Sequence, residues 1–247
     1  MSVALITGGA LRIGASITRM MARAGHAILI HANTSRQAAT VLAAEIEDQG
    51  GRAAILTQDL ADLPALPDFY ARACEPFGAP DVLINNASLF AKDGFGAVDA
   101  ATFSANLAVN LQAPVLLAQA FAAHLPAGRE GVIINLLDQR VLRVTPQFFS
   151  YTLAKSALYT ATKTMAQALA PRIRVNGVGP GPTLPNVHDG AEGFMQEAAG
   201  TLLGRAIAPE EIAEAVRFLV QAKGITGQMI AVDSGQHLGW QTPDIVE

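Results

Sequence analysis

Seven short apolar runs recur along the chain, at Val3–Thr7, Ala27–His31, Ala53–Thr57, Val82–Asn85, Val132–Leu136, Ile173–Gly177 and Met229–Val232. Helical patterns fill most of the intervals, at Ala15–Ala24, Arg36–Gln49, Leu66–Cys74, Ala100–His124, Phe149–Ala170 and Pro209–Gln221. Runs so short and so apolar read as strands buried on both faces, the condition of a parallel sheet. Parallel neighbours need a crossover, most often a helix. The alternation therefore predicts one doubly wound α/β domain over 1–247, with helices on both faces of a parallel sheet. No linker, low-complexity run or internal repeat divides it, and 247 residues are ample for a sizeable core. Pro171 ends the long fifth helix before the sixth strand.

The first strand runs into Gly8-Gly9-Ala10-Leu11-Arg12-Ile13-Gly14 and then a helix. A strand, a glycine turn and a helix N-terminus make a cradle for a pyrophosphate, because free backbone N–H groups converge on the anion. The spacing departs from the common G-x-G-x-x-G, and Arg12 stands where a third glycine is expected. Nucleotide choice follows from charge. Folds that bind NAD place an acid at the end of the second strand for the ribose 2′-hydroxyl. Here that strand is followed by Asn33-Thr34-Ser35-Arg36, and no acid occurs before Glu45, whereas Arg12, Arg19, Arg23 and Arg36 all do. Hydroxyls and guanidinium groups welcome a 2′-phosphate that a carboxylate would repel. The reading is NADPH, with Ser35 also placed to cap the next helix.

Tyr151-Thr152-Leu153-Ala154-Lys155 puts a phenol and an ammonium on one helical face. The expectation is that the ammonium lowers the phenol pKa and makes Tyr151 a proton relay. Asp138 leaves the buried run 133–137 thirteen positions earlier, at the sheet edge where open α/β folds bind ligands. An ionised Asp accepts two hydrogen bonds side by side; a protonated one donates. Half-protonation at pH 7 needs a shift of about three units, or about 4 kcal/mol, which a closed apolar pocket can supply. Asp138 can equally hold Tyr151 in place while ionised, or cap its own loop.

Taken together, Thr7-Gly8-x-x-x-Arg12-x-Gly14, Asn85-Asn86-Ala87-Ser88, Tyr151-x-x-x-Lys155 and Pro180-Gly181 resemble the short-chain dehydrogenase/reductase superfamily, over Val3 to Leu238. Arg12, Ser88, Phe90 and Asp138 resemble its pteridine reductase branch; most superfamily members carry Ser at the Asp138 position and Gly at the Arg12 position. The resemblance implies a Rossmann-type fold and a homotetramer. It implies a cofactor footprint of Gly8, Arg12, Ile13 and Gly14, then His31, Asn33, Thr34, Ser35 and Arg36. Asp59 (toward the adenine amino group), Leu60, Asn86, Ala87 and Ser88 follow, then Pro180, Gly181 and Thr183, with Tyr151 and Lys155 at the ribose. Catalysis would fall to Asp138, Tyr151, Lys155 and Asn110, the last bending its helix and anchoring a relay water. Substrate would meet Arg12, Ser88, Phe90, Asp138 and Tyr151, with Phe90 stacking on a flat ring. Phe148, Phe149 and a mobile lid over about 184–206 would wall the space. The implied reaction is NADPH-dependent reduction of a dihydropterin (dihydrobiopterin, dihydromonapterin or dihydrofolate). Reduction of 3-oxoacyl or sugar ketones is the enzymatic alternative, and a silent NADPH-binding protein the non-enzymatic one. No metal is expected.

A net charge of −4 gives no basic footprint for nucleic acid. The single Cys74, read as packing, and an N-terminus without a signal-like segment fit a reducing, cytoplasmic setting. Residues 100–128 lack any Asp, Glu, Lys or Arg, but Asn106, Asn110 and Gln112 interrupt the run, so no membrane span is expected. This bare helix, with the one carrying Tyr151, is expected to pack on a second subunit. The tail Gln236–Glu247, with Trp240, is expected to reach a neighbour.

Overall fold

The computed structural model describes residues 2–185, 188 and 190–240. Strands β1 (Val3–Ile6), β2 (Ala27–Ala32), β3 (Ala53–Thr57), β4 (Val82–Asn85), β5 (Gly131–Leu136), β6 (Ile173–Pro180) and β7 (Met229–Val232) form one sheet in the order β3-β2-β1-β4-β5-β6-β7. Every pairing is parallel. Side chains alternate between the two faces of a strand, so each strand feeds two cores. Ala4, Ile6, Ile28, Ile30 and Ile134 pack under α1 (Arg12–Arg23), α2 (Arg36–Asp48) and α8 (Pro209–Gln221). Leu5, Leu29, Leu83 and Ile133 pack under α3 (Leu66–Ala73), α5 (Ala113–His124) and α6 (Phe149–Leu169). Each fully buried Ile or Leu side chain contributes roughly 2 kcal/mol of transfer free energy. Cys74 lies half-buried against the second core.

Strand order reverses between β1 and β4, and there the carboxyl ends of the strands open a crevice. The expected helix Ala100–His124 is three pieces: α4 (Ala100–Leu107), a widened π turn (Ala108–Gln112) and α5. Pro114 has no N–H to give the Asn110 carbonyl four residues back, so the regular ladder cannot run through this point. By length and composition this stretch is apolar enough to cross a membrane. Here it is instead folded against β4, α3 and α6, and both its asparagines are buried. The segment expected to be a lid contains helix α7 (Gly190–Ala199), with Gly193 in its interior. β6 also runs three residues beyond its expected end at Gly177.

Candidate active site

Two adjoining cavities of about 230 and 450 Å³ occupy the crevice, and Arg12, Ile13, Asn86, Ser88 and Phe90 line both. The larger follows the glycine turn, the ends of β2 and β3, and the loop after β4. The smaller holds Asp138, Tyr151 and Lys155, with Pro180, Gly181 and Thr183 on its other side.

The glycine turn is shaped by close approach. Gly8 adopts φ +60, which costs glycine nothing, and a Cβ on Gly14 would run into the Gly8 carbonyl oxygen. Asn86 staples this turn to the loop after β4, its Nδ2 donating to the Thr7 and Gly8 oxygens at 2.9 and 3.0 Å. Thr7 Oγ1 accepts the N–H groups of Asn86 and Ala87 at 2.9 and 3.0 Å. His31 fills a role the sequence did not indicate. Its Nδ1 accepts the Gly8 N–H at 3.0 Å, and its Nε2 lies 2.9 Å from the Gln58 carbonyl. Gly9 N–H bonds the His31 carbonyl at 3.0 Å. These two N–H groups, expected to be free for an anion, are therefore committed to His31. Burial first, against smaller contributions from Gln58 and Asp59, lowers the His31 pKa, so the imidazole is neutral at pH 7.

Arg12 stands at φ +54, the left-handed conformation that explains why glycine is usual here. Its Nη2 donates to the Leu184 and Pro185 carbonyls at 3.4 and 3.0 Å, bridging the glycine turn to the segment after β6. Asn33, Thr34 and Ser35 line the larger cavity with no carboxylate among them. Arg36 is exposed at the start of α2 and does not line it. Arg19 is engaged with Glu45 through three contacts of 2.8–3.1 Å, so it adds no free charge to the site. Ser35 occupies the cap position of α2 without a capping hydrogen bond. Asp59 Oδ1 caps its own turn through Ala61 N–H at 2.9 Å, and Leu60 lies buried beside it.

At the other end Tyr151 Oη donates to Asp138 Oδ2 at 2.9 Å. Asp138 Oδ1 accepts the Arg140 N–H at 2.8 Å, so in this arrangement the carboxyl group acts only as an acceptor. Tyr151 and Lys155 are 5% and 2% exposed. Lys155 Nζ donates to the Leu136 carbonyl at 2.6 Å. Burial lowers its pKa to about 8, against a smaller raising influence of Asp138. The expectation that Lys155 lowers the Tyr151 pKa is not met. Burial first, then the Asp138 charge and the hydrogen bond to it, push the phenol well above its ordinary value. The Lys155 ammonium lies 5.7 Å from the phenol ring centroid, and the nearer carboxylate prevails.

Asn110 is buried in the π turn and does not line either cavity. Its Oδ1 accepts from Ser88 Oγ at 2.8 Å and Leu89 N–H at 3.2 Å, and its Nδ2 donates to the Leu89 carbonyl at 2.8 Å. It braces the loop carrying Ser88 and Phe90. Its side-chain amide is engaged by protein groups throughout. Phe90 stacks on Phe148 at 4.1 Å and meets Tyr151 edge-on at 4.8 Å. Phe149 turns away to Phe95. Thr183 Oγ1 donates to the Gly181 carbonyl at 3.0 Å.

A family model described as enoyl-(acyl carrier protein) reductase matches residues 9–237. The chain belongs to the short-chain dehydrogenase/reductase superfamily. It is similar to the crystal structure of FolM alternative dihydrofolate reductase 1 from Brucella suis in complex with NADP, at 44% identity and a TM-score of 0.96, covering 99% of this chain and 98% of that one. An oxidoreductase of Bacillus subtilis (strain 168), YjdA, is 32% identical over 94% of this chain and 96% of its own length. A 3-oxoacyl-[acyl-carrier-protein] reductase of Synechocystis sp. is 30% identical over 94% of this chain and 96% of its own.

Two charged residues of this short-chain reductase were not singled out from the sequence, although the second falls within the segment expected to wall the site. Arg140 and Glu197 both line the smaller cavity, the first from the turn after β5 and the second from α7. No spacing rule marks either, because only the folded chain brings 140 and 197 together. Of the tail, residues 241–247 lie outside the described residues.

Proposed function

We propose that this chain is an NADPH-dependent reductase of dihydropterins. The observation that carries the reading is the 2.9 Å contact between Tyr151 Oη and a carboxylate, Asp138, at the wall of the smaller cavity. The resemblance to a dihydrofolate reductase crystallised with NADP supports both halves of it. Gly8 and Gly14 let the turn pack closely beside the larger cavity, and Asn33, Thr34 and Ser35 on its wall offer a 2′-phosphate donors with no carboxylate among the three. Arg12, Ser88 and Asn86 stand where the pyrophosphate half meets the substrate half.

When bound, the reduced nicotinamide supplies the hydride. Tyr151, kept protonated by burial and by Asp138, serves as proton donor to the substrate nitrogen beside the carbon that is reduced. Asp138 orients the phenol, and its two oxygens offer paired acceptors to an amino group and ring N–H. Lys155, charged at pH 7, holds the ribose. Phe90 offers a face to a flat heterocycle once it parts from Phe148, worth about 1 kcal/mol beyond buried area. A homotetramer in a reducing compartment belongs to the same reading.

Ketone reduction is the competing reading, favoured by the resemblance to the 3-oxoacyl reductase. Steady-state NADPH oxidation with 7,8-dihydrobiopterin, dihydromonapterin, dihydrofolate and a set of 3-oxoacyl and sugar ketones decides between them. Turnover of a ketone with none of any dihydropterin rejects the proposal.

A further inference from the structure

We propose that Arg140 is a positioning residue that locks the Asp138 carboxylate onto Tyr151 and makes that alignment depend on the docking of α7. The inference rests on reading Asp138 and Tyr151 as the proton-handling pair. Arg140 grips Asp138 twice, by its backbone N–H to Oδ1 at 2.8 Å and by Nη1 to Oδ2 at 3.4 Å. The Oδ2 atom is the one that receives the Tyr151 hydroxyl. The other terminal nitrogen of the guanidinium, Nη2, lies 4.0 Å from Glu197 Oε1 on α7. Glu197 Oε1 also accepts from Gln236 Nε2 at 2.8 Å. The guanidinium lies over the Phe90 and Phe148 rings, 5.7 and 5.3 Å from their centroids.

With the Arg140 amide on Oδ1 and only the Tyr151 hydroxyl on Oδ2, carboxylate and phenol could still shift together; the guanidinium ties Oδ2 to a third group. A guanidinium presents donors in two directions from one rigid plane, so one side chain reaches two carboxylates. Its side chain is 16% exposed, and the water available to replace its contacts is limited. Lifting α7 would leave the guanidinium a single carboxylate partner and free its plane to tilt over the rings. Docked α7 and a fixed Asp138 thus come as one arrangement.

The test compares wild type with R140M, R140K and E197Q, on whichever of the dihydropterins or ketones the wild type reduces. R140M is expected to lower kcat about tenfold or more, the loss of a charge-assisted contact. Its NADPH Kd should stay within about twofold and its KM should change less than kcat, with R140K recovering part of kcat. Hydrogen–deuterium exchange at 190–199, which needs no turnover, should run faster than wild type in both R140M and E197Q. Wild-type kcat in R140M, or wild-type exchange at 190–199 in both variants, overturns the proposal. A wild type active only on ketones rejects the dihydropterin reading instead and leaves both arms of this test in force.

Discussion

Asp138 has one oxygen on a backbone amide and the other on a phenol, and a single hydroxyl oxygen in its place would bring no charge to either contact. Asp138→Asn keeps the shape and removes the charge. Since a hydrogen bond to a charged group contributes about 1.5–3 kcal/mol, dihydropterin kcat should fall roughly ten- to hundredfold, and unchanged turnover would show the carboxylate idle. Lys155 gives a second prediction with its sign fixed by burial. Its folded pKa of about 8 lies below the model-peptide value, so between about pH 8 and 10 the unfolded chain holds the proton that the folded chain has lost. In the cofactor-free protein this group therefore makes stability rise with pH across that window. Urea midpoints of wild type minus Lys155→Met, taken at pH 7, 8 and 10, should show the rise; a flat difference would contradict it. Asp138, Tyr151 and Lys155 do line one cavity, a grouping that the sequence suggested only through the company of several motifs, since Tyr-x-x-x-Lys alone is a weak signal. The phenol's raised pKa was not legible, because it depends on which charge ends up nearer.

Among the elements, the strands and most of the helices were visible as period and punctuation, and their bounds moved by only a few residues. What stayed hidden were departures from a regular ladder. The π turn over 108–112 is a response to Pro114, and α7 forms in a glycine-containing stretch of mixed polarity whose periodicity is weak. The π turn turns Asn110 toward the loop after β4, where four hydrogen bonds, one of them to Asn106, consume its amide. Asn110→Ala should therefore cost about 2 kcal/mol of stability through the stranded Leu89 groups. It should also raise the KM for the substrate by loosening Ser88 and Phe90. Thermal unfolding with kinetics checks both; a variant as stable as wild type would mean that the loop holds itself.

At the scale of the molecule, two cores clasp one parallel sheet, and the crevice sits where strand order reverses. α5 and α6 leave Leu116 and Leu153 exposed, at 36% and 42%, on helices nearly free of charge. Such faces are what a second copy would cover. Sedimentation should give the mass of a tetramer, and Leu153→Glu should lower it; a monomeric wild type would end that expectation.

The widened turn also sets a phase. A helix advances about 100° per residue, so one surplus residue swings everything from Ala113 onward by that angle against Ala100–Leu107. Removing a single residue between Leu107 and Ala113 would carry Leu117 and Phe121 out of the core and rotate Gln119 toward it. Spacing there is as tightly bounded as residue type, and a deletion of one should abolish folding where many substitutions are absorbed.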